Sequence, residues 1–543
     1  MKRKIVIIQL LMLVLALPMQ AQNKNFRKDF DDFKNKAKKE YSDFRKKALA
    51  EYAQFVREAW EEFGAEPPVQ IPEEEKVEPM VVPGYEEETA SWFSKLFGGG
   101  KKDAKAEAEK KAKKEAKKEE KRRKREQTNK NLVVQQVVAA PAPAPKQPEP
   151  LSEVVPVPEQ PNDYMAFDVF GTQCRVRIGK NCHVRLTGLT GDDVADAIGE
   201  FTKPQFDNML YDCLQERKNH HFSDWAYYQM LLSLTDKFYG KHTNEGTLVL
   251  GFLYSQSGYK MRYAHDSNTL YILVASQYNI FKKSFFYVEG ECYYLLDDID
   301  DGAKLAVCKA KFPKESPLSL QISAVQDFTD NPTVERTITS PMNPDFSFTL
   351  TSNKNYIDFY NTYPSSYTDN NFMTRWAMYA NTPLEKGITS QLYPSMKEKL
   401  EGMTPLEKVQ QLDWWVQGTV DIKREKSDQE CFLYAFDEDV WGADRAFFGE
   451  ETFFYPYCDC EDRSILLSHL VRDLVDLDVV LVYYPGHLAM AVNFPEDVPG
   501  DHIMVNGRKF IVCDPTYVGS DVGETMPSMK DKETTVILLK RKA

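Results

Sequence analysis

The chain has 543 residues, with 82 Asp+Glu against 69 Lys+Arg, a net charge of −13 and 42% hydrophobic residues. That balance argues against nucleic acid as the main partner, because phosphate binding requires a basic footprint, and the length allows up to about three domains. Nine cysteines are too sparse for a small disulfide scaffold, and their odd number leaves at least one free or paired with another chain.

Met1 to Ala21 reads as a secretory signal peptide. Lys2, Arg3 and Lys4 precede an apolar run from Ile5 to Leu17, and Ala21 suits cleavage. The run is too short for a membrane span of roughly 20 residues, and no later segment is long and apolar enough to span. The expectation is an exported protein, periplasmic or extracellular, with disulfides permitted.

Residues 22–63 read as an amphipathic helix, and residues 26–63 carry an 11-residue repeat. Phe30, Tyr41, Tyr52 and Phe63 form one series, Phe33, Phe44 and Phe55 a second, and Phe26, Ala37, Ala48 and Ala59 a third. Eleven residues in three turns is about 3.67 per turn, close to a straight helix. The expected helix shows an aromatic stripe that needs cover: its own domain, another copy through residues 26–63, or a foreign partner or membrane surface.

Residues 64–161 read as a charged, Pro-rich linker. Residues 64–90 hold eight glutamates against a single cation, Lys76. Residues 101–126 hold 14 basic and 7 acidic residues, so this segment is +7 and the rest of the chain is −20. Residues 141–161 contain eight prolines, the composition of an extended spacer.

Residues 162–352 read as an α+β module. "QCRVRIG" and "CHVRLTG" suggest a strand pair, and helical patterns run from Asp192 to Phe238. "TLVLGFLYSQSGY" reads as a helix ending at Gly258. Alternating strands follow, among them "KMRYA", "TLYILVA", "SFFYV", "CYYLLD", "KLAVCKAKF", "LSLQISAV" and "FSFTLT". Residues 353–543 form the last module, helical from Met373 to Thr419 and strand-rich near the end. The predicted fold class is α+β throughout.

Chemistry concentrates between Phe454 and Tyr517. "FYPYCDCEDRSILLSHLVRDL" reads as a loop feeding a helix, with Asp459, Glu461 and Asp462 at its start. Cys460 lies at the first turn, where the positive helix end is expected to favour the thiolate. "DVVLVYY" is an apolar strand, "PGH" places His487 at the head of the strand "HLAMAV", and "KFIVCDPT" ends a strand at Asp514. A thiol needs a base, an imidazole supplies one near neutral pH, and a carboxylate fixes the imidazole's tautomer.

The segments "DCEDRSILLSHLVRDL", "YYPGHLAMAV" and "FIVCDPTY" together resemble the transglutaminase-like superfamily over about residues 373–543. The resemblance implies a papain-like fold with Cys460 as nucleophile, His487 as base and Asp514 as orienting acid. It implies an oxyanion held by backbone N–H groups at the helix start and by an upstream side chain, for which Gln429 and Trp441 are the right residue types. The chain departs from the family pattern at Cys458, where a small residue is usual; Cys458 is open to a disulfide, a metal or simple packing. A C-x-C pair with one histidine is too few ligands for a closed zinc site. No Asp-rich calcium loop is present, so no cofactor or metal is expected.

The implied function is thiol-dependent acyl transfer on a protein or peptide, by a peptidase/amidase or a transglutaminase-like enzyme. The alternative is a non-catalytic peptide-binding or scaffold protein using the same fold. Residues 244–274 repeat the helix, turn, strand, strand plan of residues 460–492 without the cysteine or histidine, suggesting a degenerate copy within the 162–352 module.

Overall fold

The computed structural model describes residues 24–83, 85, 129–154, 164–300, 302–312, 314–419 and 430–540. The expected signal segment, the basic run 101–126 and Gln429 lie outside the described residues. The fold is mixed α+β, built on two six-stranded sheets. No helix among the described residues is long and apolar enough to cross a membrane.

Helix α1 (Lys24–Val56) opens the chain. It buries Arg45, Leu49, Tyr52, Ala53 and Val56, the i, i+4, i+7, i+8, i+11 spacing of one helical face. That face packs on α2 (Gly191–Gly199); Tyr52 stacks on Phe312 at 4.0 Å, and buried Arg45 meets Asp207 at 2.8 Å. Docking on its own domain therefore covers only part of the aromatic stripe. Phe33, Phe44 and Phe55 stay 48–63% exposed. The helix also stops one repeat early. Trp60–Gly64 forms strand β1, antiparallel to residues Lys304–Cys308, because sheet pairing there outweighs the helical period.

The described parts of the expected linker, residues 64–83, 85 and 129–154, are folded on the two modules. Val134–Val138 forms β2 on the edge of the second sheet, and residues 65–82 run from the first module across the second. The first hairpin, β3 (Tyr164–Val169) with β4 (Thr172–Arg177), is shifted upstream of the predicted pair. "CHVRLTG" is irregular chain after a short 3-10 turn. "LSLQISAV" forms isolated bridges only.

Helices α3 (Pro204–Asn219), α4 (Asp224–Tyr239) and α5 (Asn244–Gln256) follow the expected boundaries. The first sheet contains β5 (Met261–His265), β6 (Leu270–Ala275), β7 (Phe285–Val288), β8 (Glu291–Leu295) and β9 (Lys304–Cys308), in the order β1-β9-β5-β6-β8-β7. After α6 (Thr374–Ala380), α7 (Cys460–Leu474) feeds the second sheet. Its strands β10 (Asp478–Tyr484), β11 (His487–Asn493), β12 (His502–Val505), β13 (Arg508–Cys513) and β14 (Thr534–Leu538) run β12-β13-β11-β10-β14-β2.

The two orders superimpose strand for strand. The helix before each sheet leads into an antiparallel central pair, the next hairpin flanks one side, and the last strand flanks the other. Each sheet ends on a strand contributed by the N-terminal region. One difference remains: β1 is antiparallel to its neighbour and β2 is parallel. In the first sheet's module, Asn244 opens the helix, Leu270 opens the second strand and Leu296 follows the fourth, where the second has Cys460, His487 and Asp514. Asn244 Oδ1 accepts the Leu270 N–H at 2.8 Å. The juxtaposition of the two positions is thus kept without a nucleophile or base.

Candidate active site

Cys460, His487 and Asp514 approach at one end of the second sheet. β10 and β11 are joined by the two-residue turn Pro485–Gly486, which pairs Tyr484 with His487 and leaves the imidazole at the strand head. Gly486 has φ +77°, and a Cβ there would stand 2.1 Å from the Glu75 carbonyl oxygen, so glycine is required by conformation and by space. α7 is held along β11 by Ser464 Oγ, which donates to Leu488 O at 3.0 Å. Fully buried Arg463 locks the start of α7 to its surroundings. It donates to the carbonyls of Gln417 (2.5 Å), Thr419 (3.3 Å), Phe432 (3.3 Å) and Pro515 (3.4 Å).

His487 Nε2 lies 2.9 Å from Asp514 Oδ2. The other carboxylate oxygen accepts the Thr516 N–H at 3.0 Å, which fixes the acid. His487 and Asp514 are 2% and 1% exposed. The second ring nitrogen, Nδ1, is buried without a hydrogen-bond partner. Cys460 and His487 line the same small cavity of about 30 Å³, room for about two waters.

No hydrogen bond joins the thiol to the imidazole. Cys460 Sγ instead donates to Glu461 Oε2 at 3.0 Å. Contrary to the expectation from the helix end, burial and then the Glu461 and Asp459 carboxylates push this thiol well above its ordinary range, with Lys76 opposing them. Desolvation and two adjacent negative charges outweigh the helix end. The thiol is therefore neutral in this resting arrangement.

Carboxylates crowd around it. Asp437, Asp444 and Glu461 bring ligand-type oxygens within 4.8 Å of one another, as do Asp437, Asp459 and Asp462, so this is a region able to hold a cation. Burial pushes Asp437, Asp459, Glu461 and Asp462 upward, and their mutual repulsion adds to it. The cation found there is the Lys76 ammonium, 2.8 Å from Asp459, 3.1 Å from Asp444, 3.4 Å from Glu438 and 3.8 Å from Glu461. In the first module, Cys174, Glu216 and His220 form a separate trio with metal-ligand spacing.

Cys458 does not line the cavity. Its sulfur receives Arg463 Nε at 3.5 Å and contacts Leu433 O at 3.6 Å, a packing position. No disulfide joins any of the nine cysteines, all of which are among the described residues; Cys513 Sγ donates to Ile511 O at 3.7 Å. Trp441 packs with Tyr455 and Phe447, away from the cavity wall. The wall carries a different tryptophan, Trp376 on α6, buried with its indole N–H unpartnered. Sequence reasoning missed Trp376 and Lys76, because neither lies near the cysteine or histidine in the chain. No family model, no curated protein and no solved structure matches this chain.

Proposed function

We propose that this is an exported thiol-dependent acyl-transfer enzyme of transglutaminase-like type, acting on a protein or peptide. Cys460 is the nucleophile, His487 the base and Asp514 the orienting acid. The observation that carries this reading is the buried His487–Asp514 pair, whose second ring nitrogen Nδ1 has no hydrogen-bond partner and whose imidazole lines the same cavity as Cys460.

In the reaction, the thiol turns from Glu461 to His487 Nδ1 and passes its proton to the imidazole. Asp514 steadies the imidazolium. The sulfur forms a bond to a substrate carbonyl carbon, and the carbonyl oxygen takes up the negative charge. The backbone N–H groups in the first turn of α7, with the Trp376 indole N–H, are the donors assigned to that charge. The imidazolium returns its proton to the departing amine, leaving a thioester. Water then gives hydrolysis, and an amine gives transamidation.

Iodoacetamide labelling of Cys460 across pH, read by peptide mass spectrometry, tests the assignment. The thiol should label faster than Cys458, and His487→Ala should slow it. Equal Cys460 labelling rates in wild type and His487→Ala at every pH refute it. The occupied cleft and neutral thiol favour a second reading, a scaffold that binds peptide without chemistry. The exposed row Phe33, Phe44 and Phe55 supports an attachment or self-association role for residues 26–63 under either reading.

A further inference from the structure

We infer that the carboxylate pocket beside Cys460 is the subsite for a lysine or arginine side chain of an extended peptide, and that residues 72–77 occupy the cleft as an internal stand-in for that peptide. The inference rests on the acyl-transfer reading of Cys460.

Residues 72–77 come from a region that would pass for a solvated linker, yet the main chain is held as a ligand is held. The Val77 N–H donates to the Gly486 carbonyl at 3.0 Å. The Glu75 carbonyl packs on the bare Cα of Gly486. Tyr483 Oη donates to Glu74 at 2.7 Å. Beyond the cleft, the Val518 N–H donates to Met80 and the Val82 N–H to Val518, both at 2.9 Å. The segment is thus clamped at the β10–β11 turn next to His487 and at the loop that follows Asp514. Main-chain bonds to one side of a cleft, with one side chain in a pocket, is the general mode by which extended peptides are recognised.

The side chain in the pocket is the informative one. Residues 64–90 offer eight glutamates and one lysine, and it is the lysine that reaches four carboxylates on the cleft wall. The ammonium is well enclosed, with its side chain 16% exposed. Asp444 also meets Arg375 Nη2 at 3.5 Å, so that the pocket keeps one cation of its own and accepts a second. A leucine or glutamate in the same place would leave these acids unpaired, a large differential cost in a water-poor site. A basic residue of a substrate restores the positive charge that Lys76 supplies beside the thiol. The cleft opens to it only when residues 72–77 leave.

The test uses the full chain and peptidyl acyloxymethyl ketones, which alkylate an active-site thiol with loss of the carboxylate. Probes carrying Lys, Leu or Glu next to the reactive group are compared on wild type, Lys76→Ala and Val77→Pro. The last variant removes the Gly486 hydrogen bond and leaves every carboxylate in place, so it holds if Lys76→Ala fails to fold. Both variants should label at Cys460 about tenfold faster than wild type, with the Lys probe preferred to the Glu probe by about tenfold or more. Asp444→Asn with Glu438→Gln should shrink that preference. If iodoacetamide labels Cys460 in Val77→Pro but the Lys and Glu probes react alike, the subsite inference is overturned while the nucleophile stands. The same holds if calcium stabilises the variant and no basic preference is seen. If neither reagent labels Cys460 in any variant, the nucleophile reading itself fails.

Discussion

Replacing Lys76 by methionine keeps most of the side-chain stem and removes the charge, which isolates the electrostatic part of the contact. In the folded protein the ammonium faces Asp459, Asp444, Glu438 and Glu461 at 2.8 to 3.8 Å. Removing one partner of a buried ion cluster costs about 3 kcal/mol or more, or about 6–12 °C for a domain of this size. The cost depends on pH with a definite sign. Asp459, Glu461 and Asp444 are already raised, chiefly by burial, and Lys76 is among the groups that lower them. A carboxyl raised in the folded state binds more protons there than in the unfolded chain. Its contribution is fully present below the unfolded value and is lost as pH rises through the folded value. Without Lys76 the folded values rise further, so variant and wild type differ little near about pH 5 and diverge above about pH 7. Thermal unfolding of both proteins at those two pH values, following the transition that exposes α7, measures it. An equal loss at both pH values would trace the effect to stem packing. No loss at high pH would refute the claim that Lys76 holds the pocket together.

Asp514→Asn should leave the melting temperature nearly unchanged and slow acyl transfer by up to about 10⁴-fold, because the tautomer is no longer fixed; a steady-state assay on a peptide substrate reads this. Cys458→Ser should leave Cys460 alkylation within about twofold of wild type and cost about 1 kcal/mol of stability in urea unfolding. Leu49→Ala should cost about 2–5 kcal/mol, while Phe44→Ser should stay within about 0.5 kcal/mol, since Leu49 is buried and Phe44 is 63% exposed. Glu385 and Glu450 are pushed up to about 8 and about 7, mainly by burial. Their stabilising contribution is complete below about pH 4.5 and falls as pH rises through those values, so a pH series of melting temperatures should flatten in the Glu385→Gln, Glu450→Gln double variant.

What the sequence disclosed was local. The helix after Cys460 and the apolar strands at 478–484 and 487–493 follow from periodicity, and so does the strand that ends before Asp514. Turn chemistry at Pro485–Gly486 fixed where His487 would stand. The matching plan of residues 244–274 was also visible, because helix, glycine turn and two strands leave a readable pattern. What the sequence concealed was non-local. Nothing about Lys76 among its glutamates announces four carboxylate partners that lie hundreds of residues further on. Val134–Val138 has no pattern that separates an edge strand from a spacer. The 11-residue period ran on past Val56, yet Trp60–Gly64 gained more from pairing with Lys304–Cys308 than from another helical turn. The helix-end argument for the Cys460 thiolate failed for a related reason: it counted the N–H groups of the helix but not the desolvation and the acids that tertiary packing brings to the sulfur.

The edge strand β2 sets an order of events in biogenesis. Its neighbour in the sheet is β14, the last strand among the described residues; Thr534 Oγ1 donates to Val133 O across 401 positions. Closing a loop of that length costs on the order of 5 kcal/mol of chain entropy before any contact repays it. Since β14 lies between β10 and β2, residues 134–138 cannot dock in the sheet until residues 534–538 have left the ribosome. The second sheet is completed only when residues 534–538 are in place. Without residues 534–538, both β2 and β10 keep an open edge, so an incomplete chain exposes two unpaired strands at once.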